Sequence, residues 1–269
     1  MNLCYVSMFY DIGRKNWKFF NRTFETYLEH FTPFLDLFSS ESDNKYEMVV
    51  LIDDRYVERL RNEIILKKSR IRLFSINQSF MKQNFYAWNL LDKERDIMNS
   101  EHYKKLTAHR SHCPETYIPE YTLINHCKID AVSFVLNNAS NATYFVWVDF
   151  GYFQNKDSIP QKLLDVNKLD KDKINYMLLN YIKSCHGDIV NNIINPYELI
   201  GGGFFFGSKM RMIEYQQLYH SILNKFQKIE LADDDQHIAL ICYFTQQNLF
   251  KLHYTNGKWT SALVDFQLD

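Results

Sequence analysis

Four short stretches of the chain carry residue types that can do chemistry. The first, 144–153, runs apolar from Tyr144 to Val148 and then sets one carboxylate, Asp149, ahead of Phe150 and Gly151. An uninterrupted run of aromatic and β-branched residues suits a strand covered on both faces. A charge at the end of such a strand is costly unless a cation meets it, and ligands of open α/β sheets gather at the carboxyl ends of strands. Asp149 is therefore placed to hold a metal, a sugar or a phosphate-bound cation, or, more simply, to cap the following turn. The second stretch, Asp233-Asp234-Asp235-Gln236, opens a helix. Acidic residues suit a helix N-terminus, yet capping does not need three of them. The third holds Gly201, Gly202, Gly203 and Gly207 in a chain with only eight glycines. Backbone there must bend unusually or approach another group closely. The fourth, 253–259, reads His-Tyr-Thr-Asn-Gly-Lys-Trp.

These stretches need elements to position them. Residues 3–9 read as a first strand, followed by the loop Tyr10-Asp11-Ile12-Gly13-Arg14. A helix is expected over 17–31, with Phe20, Phe24, Tyr27 and Phe31 at core spacing. A polar loop over 39–45, strands over 47–52 and 71–76, and a short helix capped by Asp53-Asp54 come next. A long helix over 120–138 places Tyr121, Asn125 and Lys128 on one face, because residues three and four apart are helical neighbours. Lys128 then either points at a ligand or stands solvated, as most lysines do. Further helices over 208–226 and from 233 to about 245, and a late strand over 250–254, complete the chain. Alternating strands and helices with short loops define an α/β fold with a mainly parallel sheet.

Composition narrows the function classes. At 269 residues, 46% of them hydrophobic, the chain can fill the core of one large α/β domain. A formal net charge of −1 argues against a general nucleic-acid binder. No stretch approaches 18 uninterrupted apolar residues, so no transmembrane helix is expected. The first residues lack a signal peptide's basic and apolar regions, and five scattered cysteines point to reduced thiols; together these predict a cytoplasmic protein. His109, His112, Cys113, His126 and Cys127 lack the regular spacing of a zinc site.

The ordered set Ser7–Arg14, Trp147-Val148-Asp149-Phe150-Gly151-Tyr152, the 201–207 run and Asp235-Gln236 resembles the HtrL/YibB (WlaTC-type) family over nearly the full length. More broadly it resembles GT-A-like glycosyltransferases. The resemblance implies a Rossmann-like single domain over 1–269, with a central, mostly parallel sheet flanked by helices. Residues 1–150 would form a nucleotide-binding half and 151–269 an acceptor and catalytic half. It implies transfer of a hexose from a UDP-sugar, of the UDP-glucose or UDP-galactose type, to a hydroxyl of a glycan or protein acceptor. Phe9, Tyr10, Asp11 and Arg14 would hold the base, ribose and phosphate, with Asn125 and Lys128 adding contacts. Gly202 and Gly203 would let backbone approach the donor sugar. GT-A enzymes usually hold Mn²⁺ or Mg²⁺ with an Asp-x-Asp motif; here Asp149-Phe150-Gly151 keeps only the first carboxylate. In glycogenin-like relatives a His-x-x-Gly-x-x-Lys segment supplies a metal ligand and diphosphate contacts. His253, Gly257 and Lys258 resemble it with different spacing. Asp235, then Asp234, would serve the acceptor hydroxyl, and Gln236 would bind the sugar. Retention and inversion both stay open, as does a homodimer. The missing carboxylate also admits a catalytically weak or inactive nucleotide-sugar or glycan-binding protein of the same fold. A nucleotidyltransferase would want paired carboxylates.

Overall fold

The structure, a computed structural model, describes residues 2–39, 45–195 and 197–266. The strands in chain order are β1 (Leu3–Phe9), β2 (Tyr46–Asp53), β3 (Ile71–Ile76), β4 (Tyr144–Val148), β5 (Ile174–Leu178), β6 (Ile200–Ser208) and β7 (Phe250–Tyr254). The helices are α1 (Phe24–Leu37), α2 (Val57–Leu66), α3 (Gln78–Asn84), α4 (Leu91–Asn99), α5 (Glu101–Leu106), α6 (Pro119–Asn138), α7 (Ile189–Ile194), α8 (Lys209–Lys228), α9 (Asp235–Thr245) and α10 (Ala262–Asp265). The strands form one sheet in the order β3-β2-β1-β4-β6-β5-β7. Four of its six pairings are parallel; β6 alone runs against both of its neighbours. The expected mostly parallel α/β sheet is therefore present. The polar loop expected over 39–45 lies mostly outside the described residues.

Every residue of β1 and β4 is buried. Alternate side chains serve two cores, as they must where both faces of a sheet are covered. Cys4, Val6, Met8, Phe145 and Trp147 join the core under α6, α8 and α9. Leu3, Tyr5, Phe9, Val146 and Val148 join the core under α1. No helix among the described residues is long and apolar enough to cross a membrane, and all five cysteines are free.

Two expectations need correction. The helix expected over 17–31 starts at Phe24, where the Thr23 hydroxyl accepts the amide of Thr26 as an N-cap. Phe20 lies outside it with φ 57 and is 56% exposed, so it is not core. Phe9, expected to offer a face to a base, packs among Phe24, Tyr27, Tyr56 and Phe150 and is 8% exposed, so only a small part of it reaches the cavity it lines.

Topology decides where chemistry can gather. The carboxyl ends of β1, β2, β3 and β4 share one edge, and antiparallel β6 brings its amino end to the same edge. Register fixes the join: Val148 pairs with Phe204, and the amide of Asp149 donates to the carbonyl of Gly203. The glycine run is thus the start of a strand, laid directly against the residue that ends β4. Helix α6, opened by Pro119 at its first turn, passes over this edge. It is buried nearly all round, from Leu123 to Leu136, and a helix so enclosed must pair every polar side chain it carries.

Candidate active site

Lys128, midway along α6, shows how that demand is met. Its Nζ donates to Asp235 Oδ2 at 2.8 Å and to the Gly202 carbonyl at 3.1 Å, and lies 3.2 Å from Asp149 Oδ1. Three acceptors surround an ammonium with three protons. Burial alone would push its pKa down, but Asp149 and Asp235 outweigh burial and hold it above the usual 10.5. Lys128 is therefore neither solvated nor free to leave; it ties the strand-end carboxylate to the helix-start carboxylate.

Asp149 does not cap a turn with its side chain. Oδ1 accepts from Trp147 Nε1 at 2.8 Å and faces Lys128. Oδ2 has no hydrogen-bond partner among the described residues, and the carboxylate is 38% exposed. It borders a cavity of about 310 Å³, walled also by Tyr10, Asp11, Arg14, Arg22, Tyr27 and Asn125. A chamber of about 120 Å³ continues from Lys128 and Asp149 to Gly202, Gly203, Asp235, Gln236 and Trp259. Beyond Gln236, Tyr121 and Trp259 opens a third cavity of about 340 Å³.

The glycines let this cluster close. A Cβ on Gly202 would lie 2.3 Å from Asp235 Oδ2, which no structure tolerates, so Asp235 rests where a side chain would be. A Cβ on Gly203 would lie 3.4 Å from Asp149 Oδ2, an ordinary contact. Gly151 has a different reason: a Cβ there would meet the Tyr27 ring at 2.8 Å. Tyr27 thus fills the space that a second carboxylate of an Asp-x-Asp motif would need.

The loop after β1 is braced from several sides. The Asp11 carboxylate accepts from the Gly13 amide and from Tyr56 Oη, and Arg55 joins Asp11 to Asp53. Arg14 donates from Nε to the carbonyl of Phe20 and from Nη1 to Tyr27 Oη. Its guanidinium lies over the rings of Trp17 and Tyr121 at 5.4 and 5.7 Å. Tyr10 packs edge-on to Trp88.

A divalent ion can be tested against these atoms. Asp149 Oδ2 is an unpartnered carboxylate oxygen on a cavity wall, which fits a hard cation that takes its remaining ligands from phosphate and water, as Mg²⁺ commonly does. No second protein ligand joins it among the described residues. His253 sits on β7, three strands from β4, roughly 14 Å across the sheet at ~4.8 Å per strand. Its Nε2 is bonded to Asn175 Oδ1 at 2.8 Å, and its ring packs on Phe266. Gly257 and Lys258 wall an outer cavity with Gln154 and Trp259 and do not reach Asp149. Gly257 forms a turn at φ 73.

Asp234 also has another task. Its Oδ1 accepts the amides of Gln236 and His237, capping α9, and it faces the third cavity, the one beyond Gln236. Asp233, Asp234 and His237 bring ligand atoms within 4.8 Å of one another, but these atoms are already engaged. Asp233 accepts from His237 Nδ1 at 2.6 Å and from the Asp234 amide, with Arg110 Nη2 at 3.4 Å. Burial opposes charge on His237, yet Asp233 beside it raises its pKa to about 9.

Of the residues expected from sequence, Phe9, Tyr10, Asp11, Arg14, Asn125, Lys128, Asp149, Gly202, Gly203, Asp235 and Gln236 thus meet in one connected cleft, Phe9 nearly buried at its wall. Arg22 and Gln154 join them without having been singled out, as do Tyr27, expected only as core, and Trp147, named only within its motif. Trp147 had a signal: residues two apart on a strand share a face. Tyr27 had none, because only the packing of α1 brings it over Gly151.

The fold and cleft define a mixed α/β protein whose polar site opens at the carboxyl edge of its parallel strands. The chain belongs to the HtrL_YibB family, described as a bacterial protein of unknown function, which matches residues 1–267. Protein HtrL of Escherichia coli (strain K12) is 25% identical over 268 residues, covering 94% of this chain and 88% of that protein. Two distant solved structures are similar. Mouse xyloside xylosyltransferase 1, apo form, has a TM-score of 0.45 at 10% identity, over 94% of this chain and 84% of that one. The 4-diphosphocytidyl-2C-methyl-D-erythritolsynthase of Anaerococcus prevotii DSM 20548 has a TM-score of 0.42 at 8% identity, over 99% and 93%.

Proposed function

We propose that the protein transfers a hexose from a UDP-sugar of the UDP-glucose or UDP-galactose type to an acceptor hydroxyl. The observation that carries this reading is the free Oδ2 of Asp149 at the junction of two chambers, with Asp235 locked beside it through Lys128. The larger chamber, with Tyr10, Asp11 and Asn125, would take uridine. Arg14 and Arg22 on its wall would meet the diphosphate. Asp149 would hold a divalent ion, Mn²⁺ or Mg²⁺, which would add positive charge at that diphosphate. The smaller chamber would take the hexose, where Gly202 and Gly203 keep the wall free of side chains.

In the transfer, the acceptor oxygen bonds to the anomeric carbon. The bond from that carbon to the diphosphate breaks, and UDP leaves with the electron pair. The hydroxyl proton passes to the Asp235 carboxylate and on to water. Developing negative charge on UDP is the main thing to stabilise, and the guanidinium of Arg14 is placed at the cleft for it. Asp235 positions the acceptor oxygen, and the Lys128 ammonium keeps Asp235 from swinging away. Asp234, as the cap of α9, holds the helix that carries Asp235.

A second reading, a nucleotide-sugar-binding protein without turnover, is favoured by Gly151, where Tyr27 leaves no room for a second acid. Release of UDP from UDP-glucose and UDP-galactose separates the two. Transfer predicts slow release by the wild type and its loss in Asp235→Asn with UDP binding retained. Tight UDP binding with no release by either protein supports the binder.

A further inference from the structure

The cavity beyond Gln236 adjoins the hexose chamber at Tyr121, Gln236 and Trp259 and the nucleotide cavity at Arg14 and Tyr121, and its walls have a distinct make-up. Flat apolar rings, Phe20, Tyr197 and Trp259, alternate with carboxylates, Glu115 and Glu198 among them. Phe20 is 56% exposed, Trp259 37% and Tyr197 36%. Leaving such rings out of a core forgoes the favourable burial of their apolar surface. Phe20 also holds φ 57, the left-handed region that bulky residues avoid. The hydrogen bond from Arg14 Nε to its carbonyl keeps it there. Strain of this kind persists where the surroundings impose it, most often at binding sites.

Charge narrows the ligand. The buried cation of this cavity, Arg110, is spent on Glu115 at 3.0 Å and Asp233 at 3.4 Å. The rest of the lining carries both signs, Arg14 and His237 beside Glu115, Glu198 and Asp234, so a net charge on the ligand is not favoured and a neutral molecule with several hydroxyls is. Rings that accept apolar C–H faces beside carboxylates that accept O–H groups match one chemical class, the pyranose ring.

We propose that this cavity is the acceptor subsite and that the acceptor is a neutral sugar residue. Its face stacks on Trp259 and Phe20, its hydroxyls donate to Glu115 and Glu198, and one hydroxyl reaches past Gln236 toward Asp235. The direction of the reaction rests on the glycosyl-transfer reading; the binding of a neutral sugar does not.

Saturation-transfer NMR on the full chain, with UDP and Mn²⁺ present and absent, tests it. The probes are neutral methyl hexopyranosides, the matching methyl uronosides, and a serine-containing peptide. The expected result is saturation of the neutral glycosides alone, reduced about tenfold in affinity in both Trp259→Ala and Phe20→Ala. Both side chains are exposed, so these variants should melt with the wild type, and that melting is measured. Saturation of uronosides or of the peptide instead, or neutral-glycoside binding unchanged in both variants, overturns the proposal. So does the absence of any glycoside signal in wild type under both conditions. Failure of UDP to bind while neutral glycosides still do would sink the donor reading and leave the subsite standing.

Discussion

Two charged clusters flank the start of α9, and they are made from the same residue types to opposite effect. In one, Arg110 and His237 enclose Asp233, and each Asp233 oxygen is already bonded within the protein. In the other, Lys128 bridges Asp149 and Asp235, and Asp149 Oδ2 is left facing a cavity. The first seals Asp233 off and fixes the helix start, although Arg110 and His237 also reach the wall of the cavity beyond Gln236. The second has spare ligand capacity beside open volume. What marks a site is therefore unspent bonding at a cavity wall, not charge alone, since each cluster is built from three charged side chains.

The contrast is broken most severely at Lys128. Lys128→Met leaves two carboxylates facing one another and should lower unfolding free energy by about 3 kcal/mol in urea titrations. That is the lower end for a broken buried pair, because Asp149 is partly open to water. The ammonium's pKa is raised against burial by Asp149 and Asp235. Its contribution is therefore fully present below 10.5 and fades only as pH climbs past the higher folded value. The stability gap between wild type and variant should accordingly stay flat across neutral pH.

Gly202 comes next. Gly202→Ala drives a methyl into Asp235, and UDP release from a UDP-hexose should fall about 100-fold, the usual result of displacing a positioned group by an ångström. Gly203→Ala meets Asp149 at ordinary contact distance and leaves Asp235 in place, so it should lose less than Gly202→Ala, through the methyl it adds to the hexose chamber alone. Equal effects at the two glycines would contradict the close fit of Asp235 on β6.

The sealed cluster should answer to pH instead. His237→Gln should cost about 2 kcal/mol. With a folded pKa raised from 6.5 to about 9, His237 contributes in full below pH 6.5 and loses its contribution as pH rises to about 9. The gap between wild type and variant should therefore shrink over that window, measured by urea unfolding at each pH. Smallest of all, Arg14→Ala should weaken UDP about tenfold while leaving the melting temperature close to wild type.

Local pattern carried much of this in advance. The apolar run ending at Asp149, the helical spacing of Tyr121, Asn125 and Lys128, and the scarcity of glycine each pointed to the cleft. Lys128 illustrates the limit: sequence put it on the right face, but only the enclosure of α6 makes its pairing obligatory. His253 reads like a ligand by its neighbours Gly257 and Lys258, and strand order alone removes it. Phe20 fits a helical core spacing that Thr23 cuts short. The place of Tyr27 over Gly151 and the bond of Arg110 to Asp233 depend on contacts between distant segments, for which the chain offers no local mark, whereas His237 lies only four residues after Asp233.

Isothermal titration of UDP with Mn²⁺ into wild type and Asp149→Asn tests the central claim most directly. The expected result is saturable binding by the wild type and an affinity at least about tenfold lower in the variant. No binding by the wild type, or equal affinity in the two proteins, would contradict the placement of a nucleotide diphosphate at Asp149.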